Sequence, residues 1–214
     1  MYVKSLPLGS LQANCYLLKD LTSGECALVD PGVYDSTLED FLASEGVTEI
    51  KYVMLTHGHF DHISGAYHIR EKYGAKILIH EEDALCLHDG EWSIVNYVDD
   101  YELIFCEADI CFVDGDKFYL GETEISVMHT PGHSRGSSMF IAEDYIFAGD
   151  TILFHSMGRT DLYGGSTKTI FKSLRLIGQM QGEYIIAPGH GQNTTLSEEK
   201  RFNRYLRAND TSNN

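Results

Sequence analysis

The sequence predicts an α+β fold. Short runs rich in β-branched and aromatic residues recur along the chain, bounded by Gly, Asp and Ser turns. Between them lie stretches of helical periodicity with recognisable start and stop residues. Each half of the chain runs mostly through strands first and helices afterwards.

Taken in order, residues 14–19 and 25–30 flank a Thr-Ser-Gly turn and read as a hairpin. Residues 37–45 read as a helix capped by Ser36 and ended by Gly46. Lys51-Tyr52-Val53-Met54-Leu55 is apolar and β-branched at its centre, the pattern of a buried strand. A helix over 63–73 follows, stopped by Gly74, then a strand over 76–79 and a helical stretch over 81–87. Strands return over 113–129, with turns at Asp114-Gly115-Asp116 and Gly121-Glu122. Residues 138–142 and 145–148 read as a second hairpin, 167–179 as a helix, 183–187 as a strand and 197–207 as the last helix.

Composition narrows the class. A length of 214 residues suits one large domain, taken as 1–214, and 43% apolar residues suffice for its core. No run approaches the roughly 20 apolar residues of a membrane helix, so no membrane partner is expected. The first eight residues lack the apolar core of a signal peptide. Five cysteines form no zinc-type pairs; Cys15, Cys26, Cys106 and Cys111 read as small core residues in a reducing compartment, so a cytoplasmic location is expected. Sixteen basic against 32 acidic residues leave a net charge of −16. Nucleic-acid binding draws on Lys and Arg, so a small-molecule substrate is the expected partner.

The chemistry concentrates at the ends of predicted strands. His57-Gly58-His59-Phe60-Asp61-His62 follows strand 51–55. Open sheets place binding sites at such strand ends. In an extended segment residues two apart point the same way, so His57 and His59 can share one metal ion. Asp61 and His62 lie at the turn into the next helix, within reach of a second. Three later strands also end in a ligand type beside a glycine: Thr130-Pro131-Gly132-His133, Ala148-Gly149-Asp150 and Pro188-Gly189-His190. Together they make seven candidates: His57, His59, Asp61, His62, His133, Asp150 and His190. A catalytic zinc takes about three protein ligands. Seven therefore suit two ions bridged by a carboxylate.

This order and spacing of motifs resembles the metallo-β-lactamase-fold hydrolases, from Asn14-Cys15-Tyr16 and Val29-Asp30-Pro31-Gly32 to Gly189-His190-Gly191. Within that superfamily the chain looks most like the glyoxalase II-like group (hydroxyacylglutathione hydrolases) in its short single-domain form. The resemblance implies a four-layer αβ/βα sandwich, two mixed sheets with helices outside. It implies two divalent metals, zinc first, with iron or manganese as alternatives. His57, His59 and His133 would take one ion, Asp61, His62 and His190 the other, and Asp150 both. Asp30 is either an outer-shell residue orienting a ligand or a turn former before Pro31-Gly32.

Several features argue within the superfamily. The bridging position holds Asp150, where one large group of true β-lactamases has Cys. His59 stands where flavodiiron proteins carry Glu. The chain has no room for the inserted domain of the nucleic-acid-cleaving branch. The implied activity is hydrolysis of a small acyl substrate, a thioester first, by a metal-bound hydroxide, with Asp61 as a candidate orienter of that hydroxide. No Gly-x-Ser-x-Gly elbow supplies a protein nucleophile. A lactonase is one alternative. A persulfide dioxygenase with one iron on His57, His133 and Asp150 is another, since those relatives share the Gly158-Arg159-Thr160-Asp161 run.

Two stretches stay open. Residues 89–109 mix Trp92, Tyr97, Tyr101 and Phe105 with Asp99, Asp100, Glu102, Glu107 and Asp109. They form either a lid over the metal cleft or a helix pair packed on the core. Arg159 either meets an anionic substrate or pairs with Asp161. The chain stops soon after 197–207, without the helical domain that grips glutathione in longer relatives. That weakens the expectation of a glutathione thioester.

Overall fold

A computed structural model describes residues 1–99 and 101–207; Asp100 and the polar tail 208–214 lie outside the described residues. The first sheet is built, in spatial as in chain order, from β1 (Tyr2–Leu8), β2 (Ala13–Lys19), β3 (Cys26–Val29), β4 (Tyr52–Met54), β5 (Lys76–His80) and β6 (Ile110–Phe112). Its first two pairings are antiparallel and the remaining three parallel. The chain then enters a second sheet through β7 (Lys117–Leu120), β8 (Thr123–His129), β9 (Ser138–Ala142) and β10 (Tyr145–Gly149). The short hairpin of β11 (Ile152–Leu153) and β12 (Ser156–Met157) stands apart. β13 (Ile185–Pro188) joins the second sheet parallel to β10, and β14 (Thr194–Thr195) closes its edge.

Strand residues alternate between two cores, and this alternation creates the layers. Tyr16, Leu18, Ala27, Val29, Met54 and Leu78 face Ile125, Val127, Phe140, Phe147 and Ala187 across the gap between the sheets. Their neighbours Leu17, Leu28, Val53 and Ile77 point the other way. They pack on Leu38 and Leu42 of α1 (Ser36–Ser44) and, beyond the short α2 (Phe60–Ile63), on Ile69 of α3 (Ala66–Tyr73). On the second sheet, Met139, Ile146, Ala148 and Ile186 meet Ile170, Leu174 and Ile177 of α4 (Thr167–Gln179). Leu196 of α5 (Leu196–Phe202) and Leu206 of α6 (Arg204–Arg207) complete that core. The result is the αβ/βα sandwich, helix–sheet–sheet–helix.

Several local expectations change. α1 is capped by Asp35, whose carboxylate accepts from Leu38 N, and not by Ser36. The expected helix 63–73 breaks at Ser64-Gly65: the Ser64 hydroxyl donates to Phe60 O, and Gly65 N donates to Pro31 O at 2.8 Å. That bond anchors the turn to the loop after β3 and ends the helical ladder. Residues 81–87 form a 3-10 helix, Glu81–Leu87. The last helix breaks at buried Asn203, whose amide donates to Ser156 O at 2.8 Å. Cys111 is exposed on the edge strand β6, whereas Cys15, Cys26 and Cys86 are buried. No helix among the described residues is long and apolar enough to cross a membrane.

Candidate metal centre

Strands β3, β4, β8, β10 and β13 all end on the same rim, and the loops beyond them carry the site. β3 ends at Asp30, held in left-handed backbone with φ 51°. A non-glycine residue accepts that conformation at a cost, and functional sites often store it. The turn places the Asp30 carboxylate beneath the first motif. It accepts from Thr56 N at 2.8 Å and from the Thr56 hydroxyl at 2.6 Å, and meets His62 Nδ1 at 3.0 Å. Asp30 thus contacts a candidate ligand directly, as an orienting residue does. The Thr56 hydroxyl also lies 3.0 Å from His57 Nδ1. Since it donates to Asp30, it accepts from His57.

These contacts assign the ring protons. His62 donates through Nδ1 to Asp30, His133 through Nδ1 to Arg159 O at 2.8 Å, and His190 through Nδ1 to Leu11 O at 3.2 Å. With His57, four rings turn Nε2 toward the site; His57 Nε2 has no partner, while those of His62 and His190 lie 3.3 Å apart and that of His190 lies 3.2 Å from Asp61 Oδ2. His59 is turned the other way: its Nδ1 lies 2.9 Å from His133 Nε2. His57, His59 and His133 can each offer a nitrogen within 4.8 Å of the others, and Asp61, His62 and His190 form a second such group. Asp150 stands between them. Its Oδ2 lies 3.6 Å from His133 Nε2 and 3.7 Å from His190 Nε2, and its Oδ1 lies 3.8 Å from His62 Nε2.

The donor set fits cations. His57 Nε2, His59 Nε2 and Asp150 Oδ1 are buried without a hydrogen-bond partner. Such orphans are costly and call for an explanation. Burial, reinforced by neighbouring imidazoles, pushes His57 and His59 well below the usual histidine pKa, so both offer neutral nitrogens. In the second group, burial alone would lower His62, but Asp61, Asp30 and Asp150 outweigh it and raise it to about 10. Burial would raise Asp61, yet His62 and His190 hold it below the ordinary carboxylate range.

Glycine permits the close approach. A Cβ on Gly189 would fall 2.1 Å from Asp150 Oδ1 and 2.8 Å from the His62 ring, so the loop after β13 reaches the site only without a side chain.

The sequence reading missed three supports. Thr56 couples Asp30 to His57. Asn14 donates its amide to Pro188 O at 3.0 Å and Gly191 O at 2.9 Å, holding the His190 loop. Asp83 is 2% exposed and accepts from Gly58 N, Gly136 N and the Ser134 hydroxyl at 3.0, 2.7 and 2.6 Å. It straps the first-motif loop to the His133 loop. Nothing in Glu81-Glu82-Asp83 separates it from a solvated acidic turn. Asp83→Ala would strand the Gly58 and Gly136 N–H donors, each costing about 1–3 kcal/mol, and leave the Ser134 hydroxyl with Ser137 alone. The expected loss of about 3 kcal/mol or more lowers Tm by roughly 6–12 °C. A melt within about 2 °C of wild type would remove Asp83 from this role.

Above the metal groups opens a cleft of about 870 Å³. His59, Asp61, His133, Asp150 and His190 form its floor, and Leu11, Phe60, Ile94, Val98 and Leu162 are among its apolar walls. Glu91, Ile94, Tyr97 and Val98 come from the 89–109 stretch, which carries one 3-10 turn, Val95–Tyr97. Trp92, Leu103, Cys106 and Ala108 of the same stretch pack on the first core. Arg159 lines the cleft and is paired with Asp161 through two bonds of 2.7 and 2.9 Å.

The metallo-beta-lactamase superfamily model matches residues 8–190, and the chain belongs to that superfamily. Members are generally hydrolytic metalloenzymes. An uncharacterized protein of Mycobacterium leprae is 35% identical, with 96% of this chain and 99% of that protein aligned. The hydroxyacylglutathione hydrolase GloC of Haemophilus influenzae is 29% identical over 96% and 98% of the two chains. Among solved structures, the BLEG-1 B3 metallo-beta-lactamase superposes with a TM-score of 0.86 at 31% identity, covering 96% of this chain and 99% of its own. TTHA1623 in a di-iron-bound form gives 0.84 at 28%, covering 94% and 99%. ETHE1 from Myxococcus xanthus gives 0.79 at 25%, covering 100% and 92%.

Proposed function

We propose that the chain is a cytoplasmic binuclear metal hydrolase of small acyl thioesters. The observation that carries this reading is Asp150, set between two complete donor groups with one buried oxygen unpartnered. His57, His59 and His133 would hold one ion, Asp61, His62 and His190 the other, and Asp150 both. Zinc suits the nitrogen-rich first group, and iron is compatible with the likeness to a di-iron form. When bound, such ions polarise an acyl carbonyl and bring the pKa of water to about 7.

The chain's own residues supply the rest. Asp30, Arg159 O and Leu11 O engage Nδ1 of His62, His133 and His190 and so turn each Nε2 toward the site. Asp61, kept ionised by His62 and His190, lines the cleft and is the candidate acceptor for an orienting hydrogen bond. Phe60, Ile94 and Leu162 exclude water from the wall beside it. The similarity to GloC supports thioesters as the substrate class.

Metal analysis with a panel of thioesters and lactones tests the reading. Two ions per chain with thioester cleavage is the expected result. A lactone cleaved faster than every thioester would move the assignment to a lactonase. One iron per chain with oxygen uptake on a persulfide would replace it with the dioxygenase, held by His57, His133 and Asp150.

The panel should also show S-lactoylglutathione to be a poor substrate. Arg159 is the sole Lys or Arg among the described lining residues, and Asp161 neutralises it. An anionic thiol carrier therefore finds little to hold it. Lost remote binding raises KM more than it lowers kcat. KM is expected above about 1 mM, the upper end of the usual range. A KM in the low micromolar range would show that Arg159 leaves Asp161 to bind this substrate.

A further inference from the structure

The wall of the cleft opposite the metal floor has features that metal binding does not require. Ile94 sits at φ 60°, ψ 10°. A β-branched residue in left-handed backbone is a genuine outlier. Its neighbours hold it there. Asp89 accepts from Glu91 N at 2.8 Å and Trp92 N at 3.2 Å, and Ser93 N donates to Asp89 O at 3.0 Å. Ser93 is fully buried, and its carbonyl accepts from Phe60 N at 3.0 Å, between His59 and Asp61. The Arg135 guanidinium lies 5.0 Å from the Trp92 ring and 5.7 Å from the Tyr163 ring, clamping this segment to the far side of the cleft. The wall is thus tied to the backbone of the first motif.

Its charged side chains already have hydrogen-bond partners. Glu91 accepts from the Tyr97 hydroxyl at 2.5 Å and from Asn96 at 3.0 Å, and Arg159 is paired with Asp161. Beyond the metal floor, a ligand meets chiefly Leu11, Phe60, Ile94, Val98 and Leu162. Around the opening, Tyr97 is 71% exposed, Leu11 50% and Tyr163 46%, in a chain carrying a net charge of −16. Large apolar side chains left in water at the mouth of a cleft mark a binding surface.

From this arrangement we infer that Ile94 and Tyr97 form a specificity wall for an uncharged, linear acyl chain of several methylenes, so that the preferred substrate is a medium-chain acyl thioester. The reaction rests on the hydrolase reading; the wall does not. Each methylene buried is worth about fourfold in binding. Octanoyl over acetyl adds six methylenes, so partial burial alone gives a preference of about 100-fold.

Two measurements test it on the metal-loaded protein. In the first, kcat and KM are compared for acetyl and octanoyl thioesters of N-acetylcysteamine, an uncharged thiol. The octanoyl ester should be preferred about 100-fold, and Ile94→Gly should cut that ratio at least about tenfold, through KM. Glycine favours the left-handed backbone, so this substitution spares the fold. Tyr97→Ser, at an exposed position, should cut the ratio in the same direction. In the second, octanoate and acetate are titrated against the fluorescence of Trp92, the single tryptophan. Octanoate should bind at least about tenfold tighter, and Ile94→Gly should remove the difference.

A wild-type ratio near one, or a ratio unchanged in both variants, overturns the wall while leaving hydrolysis in place. Inert thioesters with octanoate still bound in an Ile94-dependent way would overturn the hydrolase and keep the wall.

Discussion

Asp150→Ala is expected to empty both halves of the metal site and to lower thioester hydrolysis more than about 100-fold, beyond the range typical of outer-shell changes. Among the described residues it is the carboxylate with ion-pair contacts to His133 of the first group and to His62 and His190 of the second. Its oxygens stand 3.6 to 3.8 Å from His133, His190 and His62, and the side chain is 12% exposed. Removing it strips negative charge from a pocket where five imidazoles converge. Cation binding at either group then loses the same stabilising partner. Asp150→Asn keeps the shape and one acceptor oxygen but not the charge, so it separates charge from packing. Metal content per chain, hydrolysis rate and a thermal melt in chelator should be read together. Two ions per chain in Asp150→Ala would sink the bridging assignment.

The site was legible because its donors announce themselves locally. His57 to His62 lie within one turn of chain, and His133, Asp150 and His190 each follow an apolar strand and a glycine. The αβ/βα architecture was implied by the family resemblance these motifs carry, and the structure shows its physical basis. Strands such as β2 and β10 are apolar on both faces, and only sheets covered on both sides keep such strands dry. The helix expected over 167–179 is Thr167–Gln179, capped by Ser166 with Ile170, Leu174 and Ile177 buried. Edge elements were harder. β1 is largely exposed and so shows no buried run, and β6 has three residues, too few for a pattern.

Supports that act across the fold were not legible at all. Asp83 matters through Gly58, Ser134 and Gly136, and the break after α2 depends on the carbonyl of Pro31. Thr56 acts through Asp30, far away in sequence. Local patterns encode which residues bear the chemistry. The hydrogen bonds that aim them depend on contacts between distant segments, and composition carries no trace of those.

The two donor groups should also separate by mutation. His133 belongs to the first and His190 to the second, and their surroundings differ. The His133 side chain is 3% exposed, and its ring bridges Arg159 O and His59 Nδ1. His190 is 27% exposed and its Nδ1 meets Leu11 O. His133→Ala therefore opens a buried cavity and strands two polar groups, whereas His190→Ala trims a ring that water can replace. Each should weaken its own group about 10–100-fold or more. His133→Ala should also lower stability by roughly 2–5 kcal/mol measured in chelator, in the range of large-to-small core changes, and His190→Ala by less than about 1 kcal/mol. Competitive metal titration reads the affinities and a chelator melt reads the stabilities. If His190→Ala holds two ions and turns over normally, His190 is a turn residue beside the site, and Asp61 and His62 must hold the second ion with Asp150 alone.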